Sequence, residues 1–453
     1  MVPPEILRRI FEYATSYQEF AFNNRTLGRF LLGITNVSSL WRETALGYPA
    51  LWNSFIGTSG EGFSYDSSGK LLLSLLASNF RVSSSVIFNS IAPLLPRVSE
   101  IDLDLQNAES LRAFAFLPKN TFPVLEKMSI RVAEDGNSTP LAALSGTLLM
   151  RSVTLNVPSY FLERNIFPFI SWNKLTELHI KSDITVSLFK AIMSQCLALC
   201  SASFLVELTS AAHDSCGSNR SPVTLPYLSV LRLCFSSLEE PDFDWTWGNI
   251  SKIISYIELP ALKRLTYGSE DFLVPTPSFD LTKPQNYNLG YLSILTLWRT
   301  ALRDPNGLMQ LLDTCTNLSV FILFLDRSSD IDPANIIHIC AAQPFTKLRK
   351  FSLVFSVFTV IEVEAITESF SDLLRIWSTT DARRMEGLKL RLYLCHEHEP
   401  RDLDKMHAAM KKLQDQYFCV GENRYRVANN NNVGFSEFSF AGVFVTPDTV
   451  LLF

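Results

Sequence analysis

The densest set of reactive side chains in the 453-residue sequence is Cys395-His396-Glu397-His398-Glu399. Thiol, imidazole and carboxylate are metal donors, and strand alternation would put His396 and His398 on one face. No second pair follows at ligand spacing, so the run reads as a solvated loop after the last strand. Cys196 and Cys200, four residues apart, are expected to share a face of a helix, where small apolar packing is the simpler role. His179 and His213 stand without a base or nucleophile partner. The sequence holds no Gly-rich phosphate loop and no G-x-S-x-G elbow. It shows no catalytic-cysteine context or zinc framework of a ligase either. The expectation is a chain that binds and does not catalyse, with no catalytic residues, no cofactor and no metal.

The elements that would position a binding surface follow from composition and periodicity. Hydrophobic residues make up 47% of the chain and charged residues 19%, enough apolar side chain to offset the entropy of ordering it. The net charge of −5 argues against a nucleic-acid binder, which needs a basic surface. No run approaches the ~20 apolar residues of a membrane span, so no membrane partner is expected. The eight cysteines are scattered without paired spacing, as reduced intracellular thiols are. Cytoplasm and/or nucleus is the expected compartment.

A template of apolar residues at x, x+3 and x+5 recurs through the chain, as in Val98–Ile101–Leu103 and Leu228–Leu231–Leu233. Its starts lie at 98, 125, 150, 175, 228, 262, 292, 318 and 348, with weaker copies at 199 and 385. In a strand x+3 and x+5 point the same way, into the core, and x packs at the corner leading in. Pro or Gly often precedes x, as in LPYLSVLRL and LGYLSILTL, and punctuates the turn. Helix-competent stretches, Ser187–Cys200, Asn306–Cys315 and Val363–Thr379, fall between strands. One strand plus one helix per ~25–35 residues predicts a leucine-rich-repeat-like α/β solenoid over 98–395, with about 10–11 repeats. Position x+8 lacks the usual Asn or Cys ladder. A connecting helix/strand segment is expected at 57–97. Residues 396–453 are expected to cap the array: Leu403, Met406, Met410 and Leu413 at helical spacing, VGFSEFSFAGVFV as a strand, and the Asn429–Asn432 run as a loop.

Residues 1–56 do not fit the repeat. Pro3 and Pro4 suit a helix start, Glu5 complements its dipole, and Ile6, Leu7, Ile10 and Phe11 form an apolar face. A second helical pattern runs through Leu27, Phe30, Leu31 and Ile34, and a third segment is VSSLWRETALGYPALW. So short a module cannot bury all of this aromatic surface alone, so some of it should face a partner or the array.

These residues resemble the F-box of fungal F-box proteins, especially those of mushroom-forming fungi. The likeness rests on Pro3-Pro4-Glu5-Ile6-Leu7, Ile10-Phe11, Val37-Ser38, Trp41-Arg42 and Pro49-Ala50-Leu51-Trp52. It implies a small all-α amino-terminal F-box ahead of the leucine-rich-repeat-like solenoid. It also implies a substrate-recognition subunit of an SCF-type ubiquitin ligase. Such a chain docks a Skp-type adaptor, and through it a cullin-RING ligase core, while the array holds an unidentified protein substrate. The adaptor surface then comprises Pro3, Pro4, Ile6, Leu7, Ile10, Val37 and Trp41. Two departures stand out: Val2 replaces the usual Leu, and the motif starts at Met1 without an upstream helix. They keep open a non-ligase interaction scaffold with a degenerate or truncated F-box.

On the array, x+2, x+4 and x+6 face away from the core. They read Glu100, Asp102 and Asp104, then Lys127 and Arg131, then Glu177, His179 and Lys181, and later Arg232 and Arg264. Farther on they turn apolar. Trp298, Ile322 and Phe324 are expected to form a substrate-binding patch flanked by Arg232 and Arg264, or to be covered by the carboxy-terminal segment.

Overall fold

The computed structural model describes residues 3–16, 37–46, 54–57, 73–77, 95–105, 108–132, 140–208, 222–237, 256–269, 289–298, 305–325, 333–342, 347–357, 360–379, 387–395, 408, 411, 424–430 and 433–442. The chain divides into two compact units, Met1–Asp183 and Ile184–Phe453.

The first unit opens with helices α1 (Pro4–Ser16) and α2 (Ser39–Leu46). Strands β1 (Ser54–Gly57), β2 (Leu73–Ala77), β3 (Val98–Leu105), β4 (Lys127–Val132), β5 (Ser152–Asn156) and β6 (Glu177–Thr185) follow. They lie side by side in chain order, and the registers from β1 through β6 are parallel. Helix α3 (Ala108–Ala115) and short helical turns lie in the crossovers between β3 and β6 that parallel pairing demands. The sheet therefore begins at Ser54, ahead of the first template copy at Val98 and within the stretch expected to be wholly helical.

The second unit runs α4 (Val186–Gln195), β7 (Ser201–Leu208), β8 (Val223–Thr224), β9 (Val230–Ser237), β10 (Ile257–Glu258), β11 (Arg264–Ser269) and β12 (Ile294–Trp298). It continues with α5 (Pro305–Thr314), β13 (Val320–Leu325), α6 (Pro333–Ala342), β14 (Lys350–Val357), α7 (Val360–Thr379) and β15 (Gly387–Cys395). Strands β7, β9, β11, β12, β13, β14 and β15 are parallel neighbours in that order. Strands β8 and β10 pair separately. A hairpin of β16 (Arg424–Asn430) and β17 (Val433–Gly442) joins the far edge, with β17 antiparallel to β15. Asn429 and Asn430 pair with Gly434 and Val433, so half of the asparagine run is strand and not loop. The helical pattern expected at Leu403–Leu413 lies almost wholly outside the described residues, as does that at Leu27–Ile34.

The template sets the register. In the first unit Ile101, Met128, Val153 and Leu178 align across four strands, with Leu103, Ile130, Leu155 and Ile180 as a second row. In the second unit Ala202, Leu231, Leu265, Leu295, Phe321 and Phe351 align, as do Phe204, Leu233, Tyr267, Leu297, Leu323 and Leu353. All of these are buried, and so is the x residue of every copy from Val98 to Leu348. A one-residue slip would turn each row out to solvent, which is why the register holds.

Two further rows complete the corner. The residue at x−3 is also buried, as Leu95, Phe122, Thr147, Trp172, Cys196, Leu225, Leu259, Leu289 and Cys315. From Phe122 to Cys315 its carbonyl accepts the N–H of x, closing a tight turn. One carbonyl then accepts two N–H groups of the next repeat: Arg151 and Ser152 both donate to Glu126, and Lys263 and Arg264 both donate to Ser229. Hydroxyls at x+1 reinforce this: Thr176, Ser229, Ser293 and Ser319 each donate to the carbonyl one repeat earlier.

This corner explains a correction. Helix α4, capped by the Thr185 hydroxyl accepting from Leu188 N–H, stops at Gln195. Cys196 must turn into the x−3 position, so Cys196 and Cys200 do not share a helix face. The first is buried and the second exposed.

Candidate functional site

Helix α1 starts where Pro3 accepts hydrogen bonds from Ile6 and Leu7 N–H at 3.1 Å each. Helix α2 is capped by Ser38, whose hydroxyl accepts from Trp41 N–H at 3.2 Å. The two pack through the Phe11 and Trp41 rings, with centroids 5.3 Å apart in an edge arrangement. The four apolar residues expected on one face of α1 divide between two. Leu7 and Phe11, at i and i+4, are fully buried. Ile6 and Ile10 are 46% and 45% exposed, and Tyr13 at i+7 continues their stripe at 74%.

Of the expected adaptor residues, Pro3, Pro4, Ile6, Ile10 and Val37 are exposed. Leu7 is not available to a partner, because it closes the unit's own core, and Trp41 is half-buried against Phe11. Tyr13 is not among the expected residues, although its spacing from Ile6 and Ile10 signals the same face.

The outward sheet face of the first unit is a polar grid. Lys127 Nζ lies 2.8 Å from the Glu100 carboxylate, which raises the Lys127 pKa above its ordinary value through the hydrogen bond and its charge. Arg131 faces Asp104 two pairs along the same face, past Asp102 and Ser129. The Ser152 hydroxyl donates to Glu177 at 2.9 Å. His179 lies beside Thr154, and burial lowers its pKa from the ordinary imidazole value.

In the second unit Arg232 and Arg264 are exposed, and Ile322 is half-buried. Phe324 is only 4% exposed, so it does not belong to an open patch. The x+6 row explains this: Cys234, Gly268 and Val354 are buried there as well. Trp298 aligns with Gly268 through its backbone, and its side chain lies outside the described residues. In the carboxy-terminal segment the described strands β16 and β17 extend the sheet edge at β15.

Among the described residues no three His, Cys, Asp or Glu side chains group as a metal site, and no helix is long and apolar enough to cross a membrane. His213 and His396–Glu399 lie outside them.

No family model and no curated protein matches the chain. Among solved structures, one described as "Crystal structure of TLR13-ssRNA13 complex" is similar at a TM-score of 0.31 and 14% identity, over 62% of this chain. The match covers 39% of that chain, well under half its length.

Proposed function

We propose that the chain is a substrate-recognition subunit of an SCF-type ubiquitin ligase. Its amino-terminal helices dock a Skp-type adaptor, and a leucine-rich-repeat-like α/β array holds a protein substrate. The observation that carries this reading is the double-sided helix α1. Leu7 and Phe11 anchor it inward, while Ile6, Ile10 and Tyr13 form a continuous apolar stripe to solvent, with Pro3, Pro4 and Val37 also exposed. A stripe of this kind suits an apolar groove on a partner, where buried anchors dominate affinity. Three side chains at ~1.5–3 kcal/mol each give about 5–9 kcal/mol before association costs, so Pro3, Pro4 and Val37 are needed as additional contacts.

The repeated corner supports the second half of the reading. Within each unit the repeated corner supplies a regular surface, and a substrate held there raises the effective concentration of its lysines at the ligase core. In this role the chain performs no chemistry itself.

The test is a pull-down of purified chain with a fungal Skp-type adaptor, comparing wild type with an Ile6→Asp, Pro4→Ser variant. Circular dichroism must show the variant folded. Binding by the wild type and loss in the folded variant is the expected result. A wild type that does not bind returns the chain to the non-ligase scaffold reading.

A further inference from the structure

We infer that the amino-terminal edge of strands β9 to β14 is a docking site for an extended acidic protein segment. This names the substrate class of the capture role proposed above and rests on that reading.

The site emerges from the register. Residues at x+2 align across these strands as Val230, Arg264, Ile294, Val320 and Lys350. Those at x+1 chain together through their backbone bonds, placing Lys263 and Arg349 on the same edge. The x−1 residues line its rim: Lys347 Nζ donates to Asn317 Oδ1, and Asn317 Nδ2 donates to the Gly290 carbonyl, beside Tyr291. Lys263, Arg264, Lys347, Arg349 and Lys350 are all exposed. From x−1 to x+2 in β9, β11, β12, β13 and β14 no acidic residue occurs. The corresponding edge of the first unit differs, because Glu100, Glu126 and Glu177 there intersperse its cations. The second edge is thus basic in a chain whose net charge is −5.

Its shape adds direction. Tyr227 and Tyr291 are 63% and 61% exposed, one on each side of the smaller Ala261, which precedes Lys263 and Arg264. The two tyrosines begin strands separated by one other, roughly 10 Å apart at ~4.8 Å per strand. Both are exposed, and they flank the repeat that carries Lys263 and Arg264. The second cation group, on β14, lies three strands beyond β11, roughly 14 Å away. An extended peptide advances ~3.3 Å per residue, so acids about four positions apart meet both groups. A short acidic segment meets only this edge, whereas a long polyphosphate chain also meets the repulsion of a net-negative protein.

The experiment is fluorescence anisotropy with the full chain and a fluorescein-labelled Glu-Glu-Gly-Gly-Glu-Glu peptide. Its Lys-for-Glu counterpart and a labelled oligouridylate serve as parallel probes. Saturable binding of the acidic peptide is expected, weakening with salt and falling at least tenfold in Lys263→Glu/Arg264→Glu and in Lys347→Glu/Lys350→Glu. Tyr227→Ala, which removes no charge, should weaken binding severalfold and serves as the second variant if a reversal fails by circular dichroism. Absent binding by the wild type, unchanged binding in folded variants, or tighter binding of oligouridylate overturns the proposal. No adaptor is present in this assay, so its failure is distinguishable from a failure of adaptor docking.

Discussion

The Phe11 and Trp41 rings meet edge to face with centroids 5.3 Å apart, joining two helices that the sequence separates by more than twenty residues. This contact decides which apolar residues of α1 are left for a partner, because turning Phe11 inward points Ile6 and Ile10 outward.

Removing either ring should disrupt the pair. Phe11→Ala deletes a fully buried aromatic, and a loss of about 3–5 kcal/mol is expected. Tyr13→Ser, on the exposed stripe, should change stability by no more than ~0.5 kcal/mol. Hydrogen exchange across residues 4–16 reads both variants. Equal protection loss in the two would contradict the division of faces.

A second prediction concerns Asn120 and Gly146. Gly146 has φ +84°, and a Cβ there would fall 1.9 Å from the Asn120 side-chain oxygen. Asn120 itself has φ 62°, a conformation asparagine tolerates better than most residues, and donates its N–H to the Ser145 carbonyl. Gly146→Ala is expected to cost about 1–3 kcal/mol in urea denaturation. Asn120→Gly in the same chain should recover part of that cost by removing the clash, while the backbone strain of a side chain at position 146 stays in place.

Thiol chemistry gives a third. Burial pushes the Cys196 and Cys315 thiols up from 9.0 to about 12, and pushes Cys340 up as well. Iodoacetamide at pH 8 should therefore modify Cys200 before Cys196, Cys234, Cys315 and Cys340, as read by peptide mass spectrometry. The same shifts carry a pH dependence. With folded pKa values above unfolded ones, the unfolded chain loses these protons first. Their contribution to stability is then whole below pH 9 and drains away between about 9 and about 12. Denaturation midpoints should fall over that window, and Cys196→Ala, Cys315→Ala should flatten the fall.

Much of the sheet was legible in the residues. Each x, x+3 and x+5 position from Val98 to Leu353 reads out as buried, and the helices at 306–315 and 363–379 appear within a few positions of where the pattern puts them. The x−3 row is not legible in the same way, because Thr147, Trp172 and Cys196 share burial but no single side-chain type. The burial of Phe324, one of the two outcomes expected for it, is decided by a related factor. Alternation puts it on the open face, and alternation cannot say what lies over that face.

The sequence alone determined the strand phase, because a period of two and a fixed corner leave one way to bury every Leu at x. It likewise determined that α1 is amphipathic and strongly apolar near its start. Only the tertiary structure decided how that apolar surface divides, with Phe11 against Trp41, Leu7 buried, and Ile6, Ile10 and Tyr13 exposed. It also decided that Lys263 and Lys347, more than eighty residues apart, lie on one edge. Both outcomes depend on contacts between residues distant in the chain, and local periodicity carries no information about which distant side chain occupies a given face.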